Sequence, residues 1–184
     1  MAPSLTPSRP CLRGLTLVEC LAGLGVLAAL ASVAAPGLDE LIQTRRLLSV
    51  AALLEADLHH ARSLALARQA TLRFELRQGV AEGGSCYVVH EGRPGDCPCA
   101  SSSAALCRDG LPPLRSVPLD PSTQVWLRAS AASFVFEPLL GAATPATSIE
   151  LGNARGGRAR LVVNSTGRVR HCAPGEPLPG WPAC

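Results

Sequence analysis

The hydrophobic pattern of this 184-residue chain changes character twice. From Leu15 to Ala35 apolar residues are almost continuous, interrupted by Thr16, Glu19 and Ser32. As a helix that run is about 31 Å long, enough to cross the hydrocarbon of a bilayer. From Gly37 to Arg68 apolar residues recur every three or four positions: Leu41, Leu48, Ala51, Leu54, Leu58, Ala61 and Ala65. Charged residues, among them Arg45, Glu55, Asp57 and Arg62, lie between them, which predicts an amphipathic helix. Pro36 separates the two regimes and is expected to kink one long helix running from about Leu15 to Arg68.

Beyond Arg68 the period drops to two. "TLRFELRQG" and "CYVVHEG" read as strands ended by turns, and "VWLRA", "SFVFEP", "SIEL" and "RARLVVN" follow as further strands. Residues 92–124 show no period and read as a long irregular insertion. One long helix followed by a run of strands predicts an α+β fold, with an antiparallel β-sheet head packed on the helix.

Glu19 does not belong in an ordinary membrane span. A carboxylate at mid-bilayer costs about 2.5–3.5 kcal/mol, less near the edge, so a positive partner is required. A cleaved secretory signal would have a shorter apolar core, whereas here the helical pattern continues past the run. Arg9 and Arg13 precede it, which orients the N-terminus toward the cytoplasm.

The segment "GLTLVE" followed by an apolar run resembles the processing site of type IV pilins and pseudopilins. The resemblance implies cleavage by a prepilin peptidase after Gly14 and methylation of the new N-terminus at Leu15. It places Glu19 at the fifth mature position, with Pro36 also at a familiar spacing. Leu15 and Cys20 depart from the family's usual Phe and aliphatic residue. In a filament, the resemblance implies, Glu19 pairs with the Leu15 α-amine of a neighbouring subunit, so the buried carboxylate sets assembly register. The segments "RLLSVAALLEADLHHARSLALARQATLRFEL", "FVFEPLLGAAT" and "RLVVNSTGRVRHC" are similar to the helix-to-strand junction, central strand and terminal hairpin of the GspH/FimT pseudopilins. The expected organisation is a leader over 1–14, a transmembrane segment over 15–36 and a periplasmic head over 37–184. This corresponds to a single-pass inner-membrane protein whose partners are other major and minor pilins or pseudopilins, prepilin peptidase and membrane lipid.

Composition refines this picture in three respects. Aromatic residues make up only 3% of the chain, which predicts an aliphatic core. All 17 basic residues are arginine, with a net charge of +3. Of eight cysteines, Cys11 lies in the leader and Cys20 in the apolar run. The other six, Cys86, Cys97, Cys99, Cys107, Cys172 and Cys184, read as disulfides of an oxidising compartment, their pairing open. Cys172 with Cys184 would staple the tail to the last strand. Cys97, Cys99 and Cys107 are a weaker zinc alternative. His59 and His60 face about 100° apart on a helix and cannot chelate one ion together, and His90 and His171 read as surface residues. No nucleophile, zinc-protease or phosphate-loop motif is present, so a non-enzymatic protein without metal or cofactor is expected.

Two functions fit. One is a minor subunit of a type IV pilus that binds DNA for natural transformation; the other is a GspH-type structural component of the type II secretion pseudopilus. The segment "TGRVR" matches a GRxR motif of DNA-binding FimT-like members at Gly167, Arg168 and Arg170. Arg155, Arg158 and Arg160 add charge to a stretch, Leu151 to Cys172, that contains no acid. If Arg158–Val163 and Arg168–Cys172 form a hairpin, a four-residue loop pairs Val163 with Arg168. A three-residue loop with Gly167 at positive φ instead gathers Arg158, Arg160, Arg168 and Arg170 on one face and turns Leu161, Val163 and Val169 inward. Binary patterning favours the second register. With few aromatics nearby, base stacking is not expected, so the expected partner is double-stranded DNA, bound independently of sequence and without specificity for single strands.

Overall fold

A computed structural model describes residues 16–79, 84–99, 107–108, 110 and 112–184, without the side chains of residues 34–36. The chain divides into two compact units, after Asp39. Helix α1 spans Leu17–Arg68. In the first unit Thr16 caps it, its hydroxyl accepting from the Glu19 N–H at 3.3 Å. That leaves Glu19 in the first turn, where a carboxylate complements the helix dipole. Among the described residues no single helix is long and apolar enough to cross a membrane. The segments Leu17–Val33 and Gly37–Arg68 meet that test only as a pair. The expected span over 15–36 and the kink at Pro36 include positions outside the described residues or side chains.

The second unit is built on the remainder of α1. Its buried stripe is Gln43, Leu47, Ala51, Leu54, Leu58, Ala61 and Ala65. The period is the expected one, but it enters through Gln43 and Leu47; Leu48 is half-buried against the same core, and Leu41 is exposed. The Gln43 amide N–H donates to the Gln124 side chain, while its carbonyl oxygen is buried without a partner among the described residues. The helix stops in a Schellman motif: the Ala70 N–H reaches Ala65 O at 3.2 Å and the Gln69 N–H reaches Leu66 O at 3.4 Å. Gln69 takes the left-handed conformation that glycine usually supplies there.

Among the described residues nine strands follow: β1 Leu72–Arg77, β2 Ser85–His90, β3 Arg115–Leu119, β4 Val125–Ala129, β5 Ser133–Phe136, β6 Ala143–Thr144, β7 Thr147–Asn153, β8 Arg158–Val163 and β9 Val169–Cys172. They form two antiparallel sheets, not one. The first has the order β3-β2-β1-β5-β6 and the second β4-β7-β8-β9. Ser85 ties them together, its hydroxyl accepting from the Gly79 N–H at 3.1 Å and the Leu127 N–H at 3.2 Å.

Three sequence expectations change here. The insertion at 92–124 is not wholly irregular, because Arg115–Leu119 supplies an edge strand and Pro121–Thr123 a 3-10 turn capped by Asp120. The core is not purely aliphatic: Phe74 lies 5.3 Å from Tyr87 and 5.2 Å from Phe134, which meets Phe136 at 5.5 Å. The chain has few aromatics, but all of its Phe and Tyr residues are concentrated on the inner face of the first sheet. His90 is also buried, beside Glu75 at 3.4 Å.

Disulfides Cys86–Cys99 and Cys97–Cys107 fold part of the insertion over the outer face of β2. Cys97 packs there on Val88, so every residue of β2 is buried. Cys172–Cys184 returns the tail to β9, reinforced by the Ala173 N–H to Pro182 O bond at 2.8 Å.

Candidate nucleic-acid interface

The terminal hairpin adopts the three-residue register. Val163 pairs with Val169 and Val162 with Arg170, while the Asn164 N–H donates to Arg168 O at 3.1 Å. Ser165, Thr166 and Gly167 form the loop, and Gly167 has φ +72°. Asn164 organises the turn, its side-chain oxygen accepting from the Arg168 N–H at 2.8 Å and the Thr166 hydroxyl at 2.9 Å. Arg62 of α1 holds the loop from below, donating to Gly141 O at 3.0 Å and Thr166 O at 3.3 Å. Leu161 and Val163 are fully buried and Val169 nearly so.

Cross-strand partners share a face, so the register defines three rows on the outer face of the second sheet. One is Trp126–Gly152–Arg158, the next Arg128–Glu150–Arg160–Cys172, and the third Ser148–Val162–Arg170. Arg168 extends the same side beyond the last row. The structure therefore gathers Arg158, Arg160, Arg168 and Arg170 on one side, as the second register requires. Arg155 is elsewhere: it lies in the β7–β8 turn, at the opposite end of β8 from Arg168, about 20 Å along the strand.

The patch is not free of acid. Glu150, just before the acid-free stretch, is brought between two arginines by the β7–β8 pairing. It meets Arg160 at 3.1 Å and Arg158 at 3.8 Å. Among the described residues Arg128, Arg168 and Arg170 make no ion pair, and all three are exposed. These three carry the least compensated positive charge on the face. Arg128 and Trp126 escaped the sequence reading, although alternation in "VWLRA" places both on the face opposite Val125 and Leu127.

The remaining candidates are dispersed. Gly14 and Leu15 lie outside the described residues, as does Cys11. Glu19 and Cys20 are exposed, and Cys20 is unpaired. His171 is not a lone surface residue: its ring nitrogen lies 2.9 Å from Glu55, and its ring lies 4.7 Å from that of Trp181. All six head cysteines are in disulfides, which removes them as zinc ligands. No group of three His, Cys, Asp or Glu among the described residues could hold a metal.

The strongest electrostatic perturbation lies away from the basic face. The Tyr87 hydroxyl donates to Asp57 at 2.7 Å, and the same carboxylate oxygen accepts from Arg115 at 2.9 Å. Burial first, then the hydrogen bond and charge of Asp57, push the phenol far above its usual value, and Arg115 only partly opposes this. That network joins the helix to β2 and β3 and is structural.

Comparison with known proteins is consistent with this architecture. Residues 50–167 match the family described as type II transport protein GspH. The match ends at Gly167, so Arg168 and Arg170 lie beyond it. Two crystal structures of the type IV minor pilin FimU from Pseudomonas aeruginosa share the fold. They align at 17% and 18% identity with TM-scores of 0.51 and 0.50, covering 75% and 74% of this chain and 93% and 97% of theirs. The minor pseudopilin EpsH of the Vibrio cholerae type 2 secretion system aligns at 14% identity and a TM-score of 0.46, over 71% of this chain and 99% of its own. No curated protein matches. With its N-terminal helix, its antiparallel head and a family match over most of that head, the chain belongs to the GspH family.

Proposed function

We propose that this protein is a structural minor pilin of a type IV pilus, anchored in the inner membrane, whose head binds DNA without sequence preference during natural transformation. Prepilin peptidase removes residues 1–14 and the Leu15 amine is methylated. Glu19 then pairs with the Leu15 amine of a neighbouring pilin or pseudopilin and sets the register of assembly. A buried carboxylate is tolerated when so paired and is expensive when not.

The observation that carries the DNA reading is the Val163–Val169 register, which puts Arg170 on the same solvent face as Arg158 and Arg160, with Arg168 on that side too. Like charges gathered on one sheet repel, and a phosphate backbone relieves that repulsion. Arg128, Arg168 and Arg170 suffice for about three phosphates, which corresponds to a log–log salt slope of about −3. The test is retardation of duplex DNA by the full chain in detergent at several salt concentrations. The Arg168→Ala/Arg170→Ala variant is expected to bind much more weakly, with a shallower slope. Equal binding by the variant would remove the assignment.

The second reading is a GspH-type subunit of the type II secretion pseudopilus, favoured by the matched family's own description. It requires no DNA binding, so absence of retardation at low salt would put it first.

A further inference from the structure

We infer that Trp126 is a stacking platform for an unpaired nucleobase, so that the basic face prefers single-stranded to duplex DNA; this rests on the DNA-binding reading above. Phe74, Tyr87, Phe134 and Phe136 are fully buried, whereas Trp126 lies half-buried on the outer, charged side of the second sheet. Its seat is made by an absence. Gly152 faces it across the strand pair, and a Cβ there would stand 2.1 Å from the indole Cζ2. The ring therefore lies over bare backbone. It also lines a cleft of about 520 Å³ with Gln78, Gly79, Arg128, Glu150 and Arg158.

Covering a strand glycine needs only a large apolar side chain. It does not need Arg158 one strand beyond and Arg128 two residues along the same strand. A π-face beside two guanidiniums is how sequence-tolerant binders hold single strands: the cations take phosphates and the ring takes a base. A duplex keeps its base faces stacked inside and can use only the cations. Glu150 in the adjacent row repels phosphate, which favours placing a base, not the backbone, over this part of the face.

The experiment uses the full chain in detergent with a labelled thymidine homo-oligomer and a duplex of equal length. The single strand is expected to bind about tenfold more tightly, the effect of one stacked base, despite its lower charge density. Trp126→Leu, which keeps apolar cover over Gly152, should lose that advantage and leave duplex binding unchanged, while Trp126→Tyr should retain most of it. In a Trp181→Phe background, leaving Trp126 the sole indole, emission should be quenched by the single strand. A duplex bound as tightly as the single strand, an equal loss on both DNAs in Trp126→Leu, or unchanged emission would overturn the platform while sparing the cationic site. Failure to bind either DNA would remove both.

Discussion

Gly167 and Gly141 meet backbone to backbone: a Cβ on Gly167 would stand 1.8 Å from the carbonyl oxygen of Gly141. The glycine of the GRxR segment is thus needed both for its positive φ and for this contact, and it fixes where Arg168 leaves the turn. Gly167→Ala should destabilise the head by more than about 1–2 kcal/mol, the cost of the left-handed conformation before the clash is counted. Arg168→Ala and Arg170→Ala should each change stability by less than about 0.5 kcal/mol. Denaturant unfolding of the three variants checks the contrast.

Glu150 shields part of the basic face. Glu150→Gln should free Arg158 and Arg160, tighten duplex binding at low salt and steepen the salt slope from about −3 toward about −5. A gel-shift series over salt concentration reads both changes. Weaker binding in the variant would show that Glu150 instead orients the arginines productively.

Tyr87 makes stability depend on alkaline pH. Below about pH 10 the phenol is protonated in both folded and unfolded chains, and its full contribution is present. Above that value the unfolded chain ionises while burial and Asp57 keep the folded phenol protonated. Stability should then fall by about 1.4 kcal/mol per pH unit as pH rises toward the folded value. The chain has one tyrosine and no lysine, so phenolate absorbance should appear only together with unfolding. Tyr87→Phe should remove this slope and cost about 1.5–3 kcal/mol at neutral pH, the worth of a hydrogen bond to a charged group.

The Cys172–Cys184 bond closes a loop of 12 residues' separation. Replacing both cysteines by serine should cost about 2–4 kcal/mol. It should also release Trp181 from His171, visible as a red shift of indole emission in a Trp126→Tyr background.

Processing and assembly are tested together. The intact mass of membrane-extracted protein should begin at Leu15 with an added methyl group, and thiol titration of the unfolded, unreduced protein should find Cys20 alone. Glu19→Ala should reach the membrane yet be missing from sheared filaments. Normal recovery there would refute the pairing with the Leu15 amine.

Much of this was legible in the sequence, because local periodicity reports burial directly. The three-to-four spacing from Ala51 to Ala65 marked the face of α1 that is buried. The alternation in "RARLVV" assigned Leu161 and Val163 to the core, and with Gly167 it selected the hairpin register, because a slip of one residue pairs Val163 with Arg168 and sends Val163 and Val169 to opposite faces. What escaped depends on residues distant in sequence. Glu150 meets Arg160 only because β7 pairs with β8, and Trp126 lies over Gly152 only because β4 pairs with β7. His171 reaches Glu55 only when β9 packs on the helix. The same holds for the helix stripe: buried Gln43 meets Gln124, far along the chain, whereas Leu41 lies off the stripe and is exposed. Periodicity tells which side of an element turns inward, whereas strand order and packing decide which charges and rings become neighbours.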